Sequence, residues 1–254
     1  MLSLLRSYWT DGKRYIEPFA GSACLFFDIE PEAAILGDLN ADLMNAYRCL
    51  RDDCEGTLLS LNQMEMTKEN YYKIRAVDPS GLGSLDAAAR FLFLNKLCFN
   101  GLYRTNLKGQ FNVPIGSKNE KVIDKEQLRR ASLLLGNTKL KVGDFESTLD
   151  SARAGDFVFL DPPYVLAARR TFAEYLPDSF VSLDLDRLSN TLDALDRRGV
   201  DFVITYADCK EARELMRPWK PKRWRARRHI AGFASHRRFN FELIATNRGN
   251  ANAH

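Results

Sequence analysis

Histidine is scarce: His229, His236 and His254 are the three in 254 residues, which leaves little material for imidazole acid–base or metal chemistry. Cysteine is no richer a source. Cys24, Cys49, Cys54, Cys98 and Cys209 are odd in number and form no C-x-x-C pair, so neither a disulfide framework nor a zinc site is expected. Uninterrupted apolar runs of about 18 residues are absent, and residues 1–7 turn polar too soon for a signal peptide. A cytoplasmic chain with no membrane partner is therefore expected. Acid is missing from one stretch in particular. Between Arg217 and Arg238, nine basic residues, among them Arg223, Arg225, Arg227 and Arg228, occur with no Asp or Glu, and Trp219, Trp224 and Phe233 are interleaved. Such a segment suits contact with a phosphate backbone; a solvated edge strand is the other reading.

What is present fits one large α/β domain carrying an insertion, with 45% hydrophobic and 28% charged residues. The most informative stretch is Asp156-Phe157-Val158-Phe159-Leu160-Asp161-Pro162-Pro163-Tyr164. Four apolar residues without a polar face read as a buried parallel strand. Two prolines then end it as a stiff bend, because neither has an N–H and each has its φ fixed. The Asp161 carboxylate and the Pro162 carbonyl can both aim at one donor, with Tyr164 offering a flat face beside them. That combination suits a planar amine, although an ordinary strand-to-loop corner would read the same way over nine residues.

Earlier in the chain, residues 14–19 read as a first strand ending at Glu17-Pro18. Phe19-Ala20-Gly21-Ser22-Ala23 is a small-residue turn into a helix over residues 24–29, the layout of nucleotide sites at the carboxyl ends of a doubly wound sheet. A second strand over residues 33–37 ends at Asp38, placed about twenty residues after the first turn to accept from ribose hydroxyls. Asp38 or Asn40 could instead cap the following helix. Residues 138–142 predict a further strand ending at Asp144, which either caps a helix or holds a heterocycle amine. Helical periodicity is visible over residues 67–76, 86–97 and 183–198, and strands over residues 201–205, 224–229 and 241–246. Between residues 99 and 116 lies FNGLYRTNLKGQFNVPIG, whose Asn-Gly, Lys-Gly and closing Pro and Gly predict an extended hairpin loop. It would display Arg104, Asn106 and Lys108, and Arg and Asn match guanine and adenine edges.

In their order, Glu17-Pro18-Phe19-Ala20-Gly21, Asp38, the run from Asn100 to Gly116 and Asp161-Pro162-Pro163-Tyr164 resemble the Dam family of DNA adenine-N6 methyltransferases. The resemblance runs from about Tyr15 to Asn247. It implies an AdoMet-dependent methyltransferase fold, a Rossmann-like α/β sheet, mostly parallel with one antiparallel strand. Residues 1–55 and 138–254 would form the catalytic domain, and residues 56–137 a helical and β-hairpin target-recognition insert. By the same resemblance, S-adenosylmethionine is the cofactor, held by Glu17, Phe19, Gly21, Asp38, Asp144 and Asp161. Catalysis would belong to Asp161, Pro162 and Tyr164, acting on an adenine flipped from duplex DNA, with GATC the implied site. Phe99 would wedge into the base stack, Arg104 and Asn106 would read bases, Lys108, Arg225 and Arg227 would touch phosphates, and Asn100 would also contact the DNA. No metal and no obligatory protein partner is implied, and a monomer is expected.

The sequence departs from the family at two points. Members usually carry a Gly-Gly-Lys segment about twenty residues before the first strand, whereas here Lys13 stands four residues before Glu17, so weaker cofactor binding is expected. Ala23 takes a position where the family often has glycine, which calls for a negative φ. A DNA-binding homologue without catalysis, and a transferase acting on cytosine N4 or RNA adenine, share the same motifs.

Overall fold

A computed structural model of the chain describes residues 1–117, 123–163, 182–226 and 240–248. A short helix α1 (Leu2–Arg6) leads to β1 (Tyr15–Glu17), α2 (Cys24–Ile29), β2 (Ala34–Asp38) and α3 (Ala41–Asp52). Helices α4 (Cys54–Asn62), α5 (Lys68–Ala76), α6 (Ser84–Leu97) and α7 (Lys125–Leu135) follow. The chain then returns through β3 (Thr138–Val142), α8 (Phe145–Leu149), β4 (Phe157–Leu160), α9 (Ser182–Arg197), β5 (Asp201–Ala207), α10 (Lys210–Met216), β6 (Lys222–Ala226) and β7 (Asn240–Thr246).

One seven-stranded mixed sheet runs in the order β3-β2-β1-β4-β5-β7-β6. β1 pairs in parallel with both β2 and β4, and β4 with β5, while β7 is antiparallel to β5 and to β6. This is the Rossmann-like sheet that the resemblance implies, mostly parallel with one antiparallel strand. The order reverses at β1, so the crevice outside the carboxyl ends of β1 and β4 is where such a sheet receives a ligand. β1 and β4 are buried along their whole length, the consequence of apolar sequence facing helices on both sides. Helix α9 lays Leu185, Leu188, Leu192 and Leu195 into that core, spaced three and four apart on one stripe.

The described residues fall into two compact units, one of residues 1–39, 143–163, 182–226 and 240–248, the other within residues 40–142. The second unit has its own apolar centre, with Leu58, Tyr71, Phe93, Leu97, Phe111 and Val113 buried together. Its helices begin where the sequence supplies acceptors. Asn40 accepts from the Asp42 and Leu43 amides at the start of α3, and Asp53, Thr67 and Asp124 cap α4, α5 and α7. α4 and α7 lie outside the periodic segments read from sequence. Leu59 of α4 faces solvent, 64% exposed, which blurs the apolar stripe of that helix. Among the described residues no helix is long and apolar enough to cross a membrane.

Candidate active site

The buried end of β1 puts an acid where little water reaches. Glu17 is 3% exposed, and its Oε2 accepts from the Tyr15 hydroxyl at 3.0 Å. Burial first, and then the nearby carboxylates of Asp161 and Asp38, push the Glu17 carboxyl well above the usual carboxylate range, against the opposing Tyr15 hydrogen bond. Asp161 and Asp38, two further acids picked out from sequence, therefore both lie within electrostatic reach of Glu17.

The turn after β1 is built tightly. Ala20 donates its amide to the Gly37 carbonyl at 2.9 Å, and the Gly21 amide donates to Oδ2 of Asp38 at 2.9 Å. Gly21 has φ of 47°, in the left-handed region that glycine tolerates. Ala23 is also left-handed, with φ of 48°, and so overturns the expectation of a negative φ there. It closes the turn ahead of α2 with its amide on the Ala20 carbonyl at 2.6 Å. Asn40 has taken the capping of α3, and the Asp38 carboxylate instead ties the end of β2 to the first turn. Phe19 sets its ring against Phe145, centroids 5.4 Å apart. Asp144 accepts from the Glu146 amide at 3.0 Å to cap α8, and from Nη2 of Arg187 at 2.6 Å. Arg187 also reaches Glu146 and Asp184 and lies over the Phe145 ring at 4.8 Å.

At the end of β4, Asp161 is exposed, Pro162 buried and Pro163 exposed. The Thr205 hydroxyl donates to Oδ1 of Asp161 at 2.7 Å, and the Tyr206 hydroxyl donates to the Pro163 carbonyl at 3.3 Å. Tyr164 lies outside the described residues, as does Arg227. Lys13, which stands too close to Glu17 to match the family's early lysine, pairs its ammonium with Asp201 at the start of β5. That is the opposite end of the strands from Glu17 and Asp161.

In the second unit, residues 98–116 fold back on themselves through bridges Cys98↔Ile115 and Thr105↔Phe111, with the Phe99 amide on Pro114 and the Asn112 amide on Arg104. Asn100 and Gly101 both have positive φ, the conformation Asn-Gly favours. Leu102, Tyr103, Arg104, Leu107 and Lys108 are exposed, and Phe99 is half-buried. Oδ1 of Asn106 accepts from the Lys108 and Gln110 amides at 2.9 and 3.0 Å, so this side chain shapes the tip. Arg104 donates Nε to Oδ1 of Asn112 at 2.7 Å. Arg225 is exposed on β6.

Residues 2–230 match the family of D12 class N6 adenine-specific DNA methyltransferases. The chain belongs to this family. It is 36% identical to the type II methyltransferase M1.LlaDCHI of Lactococcus lactis subsp. cremoris, over 95% of this chain and 94% of that protein. It is 33% identical to the DNA N-6-adenine-methyltransferase of Escherichia phage P1, over 85% of this chain and 29% of that protein. With the DNA adenine methylase of Escherichia coli (strain K12) the identity is 26%, over 96% of this chain and 90% of that protein. This D12 methyltransferase thus acts on adenine in DNA, which requires a methyl donor.

Two residues that touch candidate site residues of the D12 chain, Thr205 and Arg187, and Tyr206 on neighbouring Pro163, carry no obvious signal in the sequence. Thr205 and Tyr206 sit inside an apolar strand, DFVIT followed by Tyr-Ala, where polar atoms look incidental. Arg187 falls in an amphipathic helix whose charged face looks merely solvated. A usable signal was the threonine that closes the apolar run of residues 201–205, at the end of the sheet where ligands bind.

Proposed function

We propose that the protein transfers a methyl group from S-adenosylmethionine directly to N6 of an adenine flipped out of duplex DNA, at GATC or a related site. The observation that carries this reading is the Asp161-Pro162 corner beside buried Glu17, at the carboxyl ends of β4 and β1. The cofactor fits the residues present. The Gly21 turn has no side chain to obstruct close approach and a Cβ placed there would meet nothing nearer than 4.0 Å. Asp38 sits at the end of β2 for ribose hydroxyls, and Phe19 with Asp144 at the start of α8 would receive the heterocycle. Bound there, S-adenosylmethionine would supply an electrophilic methyl on a cationic sulfur, which the carboxylates of Asp38 and Asp161 would attract.

The chain's task is then positioning. The amino group of adenine is a poor nucleophile because its lone pair is delocalised into the ring. Hydrogen bonds from that amine to Asp161 and to the Pro162 carbonyl favour a tetrahedral nitrogen with its lone pair directed away from the ring. Tyr164 would stack on the flipped base. Residues 56–137 would serve as the recognition insert, with Phe99 entering the stack, Asn100, Arg104 and Asn106 meeting base edges, and Lys108, Arg225 and Arg227 on phosphates.

The test is incubation with labelled S-adenosylmethionine and duplexes with and without GATC. Label in N6-methyladenine from the GATC duplex is expected, and label distributed equally over both duplexes would overturn the site assignment. Asp161→Ala is expected to lower transfer by at least about 1,000-fold while cofactor binding persists. A second reading, DNA binding without catalysis, draws on Lys13 being engaged at Asp201. Calorimetry separates them, since tight S-adenosylmethionine binding counts against the second.

A further inference from the structure

Asp161 has an anchoring problem created by its own sequence. An aspartate at a strand end ordinarily fixes its carboxylate on the amide two residues ahead. Here the next two residues are Pro162 and Pro163, and neither has an N–H to give. A donor is supplied instead by the neighbouring strand. The parallel pairing of β4 with β5 runs in the register Phe157↔Asp201 to Leu160↔Ile204, and one further step brings Thr205 level with Asp161. Thr205 is 1% exposed. Its hydroxyl lies 2.7 Å from Oδ1 of Asp161 and 3.5 Å from the Leu160 carbonyl. A hydroxyl has one proton, and the shorter, charge-assisted contact takes it. The next residue, Tyr206, is fully buried and holds the Pro163 carbonyl from the same strand. Two consecutive residues of β5 therefore grip the proline corner on either side of Pro162.

We propose that Thr205 is a positioning residue for methyl transfer: by occupying Oδ1 of Asp161 it fixes the carboxylate so that Oδ2 accepts from the adenine amine. This rests on the reading of Asp161 as an amine acceptor. A carboxylate free to rotate would share its hydrogen bond over several orientations, and the near-attack arrangement would be populated less of the time. Valine has threonine's shape without the hydroxyl, so Thr205→Val removes the donor and leaves the packing volume.

The experiment measures single-turnover transfer to a GATC duplex, with S-adenosylmethionine affinity by calorimetry and duplex affinity by fluorescence anisotropy, for wild type, Thr205→Val, Thr205→Ala, Thr205→Ser and Asp161→Ala. Thr205→Val is expected to slow transfer roughly 10- to 100-fold with both affinities within about threefold of wild type, and Thr205→Ser to recover most of the rate. Thr205→Ala, which cannot overpack the strand, is expected to show the same loss and decides the matter should the valine variant fold poorly. Transfer by Thr205→Val and Thr205→Ala within about twofold of wild type, with Asp161→Ala inactive, overturns the role of Thr205 alone. A parallel loss of affinity and rate overturns it too, since that marks a structural threonine. Near-normal transfer by Asp161→Ala instead overturns the underlying reading of the site.

Discussion

Glu17 keeps its proton to higher pH than an ordinary glutamate because it is buried beside Asp161 and Asp38. In the unfolded chain the same group titrates near about 4.3. Between that value and the raised folded one, the native state binds more protons, so stability falls as pH rises through the window, by up to about 1.4 kcal/mol per pH unit. Glu17→Gln removes this term. Urea unfolding of both proteins from about pH 4.5 to 8 is expected to show the wild type losing stability relative to Glu17→Gln as pH rises. A difference independent of pH would mean that Glu17 is ionised in the native state throughout. Ala23 poses a backbone problem instead. Its left-handed φ of 48° costs about 1–2 kcal/mol in an L-residue, and its methyl is buried at 1% exposure, worth about 0.8 kcal/mol. Ala23→Gly exchanges one effect for the other and is expected to move stability by less than about 1 kcal/mol, whereas branched Ala23→Val is expected to cost about 2 kcal/mol or more. Thermal unfolding of the pair checks both.

The Tyr103 hydroxyl donates to Oδ2 of Asp42 at 3.0 Å and so ties the hairpin over residues 98–116 to α3. Behind it Arg90 is 5% exposed, with Nε and Nη2 donating to the Ile74 and Arg75 carbonyls. Tyr103→Phe removes this hydrogen bond and keeps the ring. Hydrogen exchange at the Asn106 and Asn112 amides, which close the hairpin onto Gln110 and Arg104, is expected to quicken about fivefold, the equivalent of about 1 kcal/mol of local stability. Unchanged exchange would show that the bridges alone hold the loop. The hairpin was legible in sequence because Asn-Gly and Lys-Gly state their turn preferences locally. The strands were legible because parallel strands buried on both faces become short apolar runs, as in Phe157 to Leu160. Thr205 on Asp161 and Arg187 on Asp144 were not, because partners more than 40 residues apart are brought together by strand register and helix placement rather than by any local pattern. Asn106 marks a different boundary, since one short polar side chain can shape a turn or meet a base, and composition does not choose between them.

The net charge of +4 is too small to organise binding to a polyanion by itself, so the arrangement of the cations decides. β6 is the last strand of the sheet, and a row of Lys and Arg also keeps such an edge from pairing with another chain. Its arginines have different surroundings. Arg223 pairs with Asp208 at 2.7 Å, and the Asp208 side chain is 4% exposed. Arg223 also lies over the Phe241 ring at 3.6 Å, so it belongs to the packing of β6 on β7. Arg225, two residues on, is exposed and is the arginine proposed to meet phosphate. Arg225→Ala is expected to weaken binding to every duplex alike and to lower the slope of log affinity against log salt by about 1. Arg223→Ala is expected instead to cost about 1 kcal/mol of stability, the remaining Arg213 contact to Asp208 limiting the loss. Salt titrations of duplex binding beside urea unfolding of both variants distinguish the two arginines. An Arg225→Ala protein with the wild-type salt slope would leave β6 as a protected edge and remove it from the DNA-binding surface.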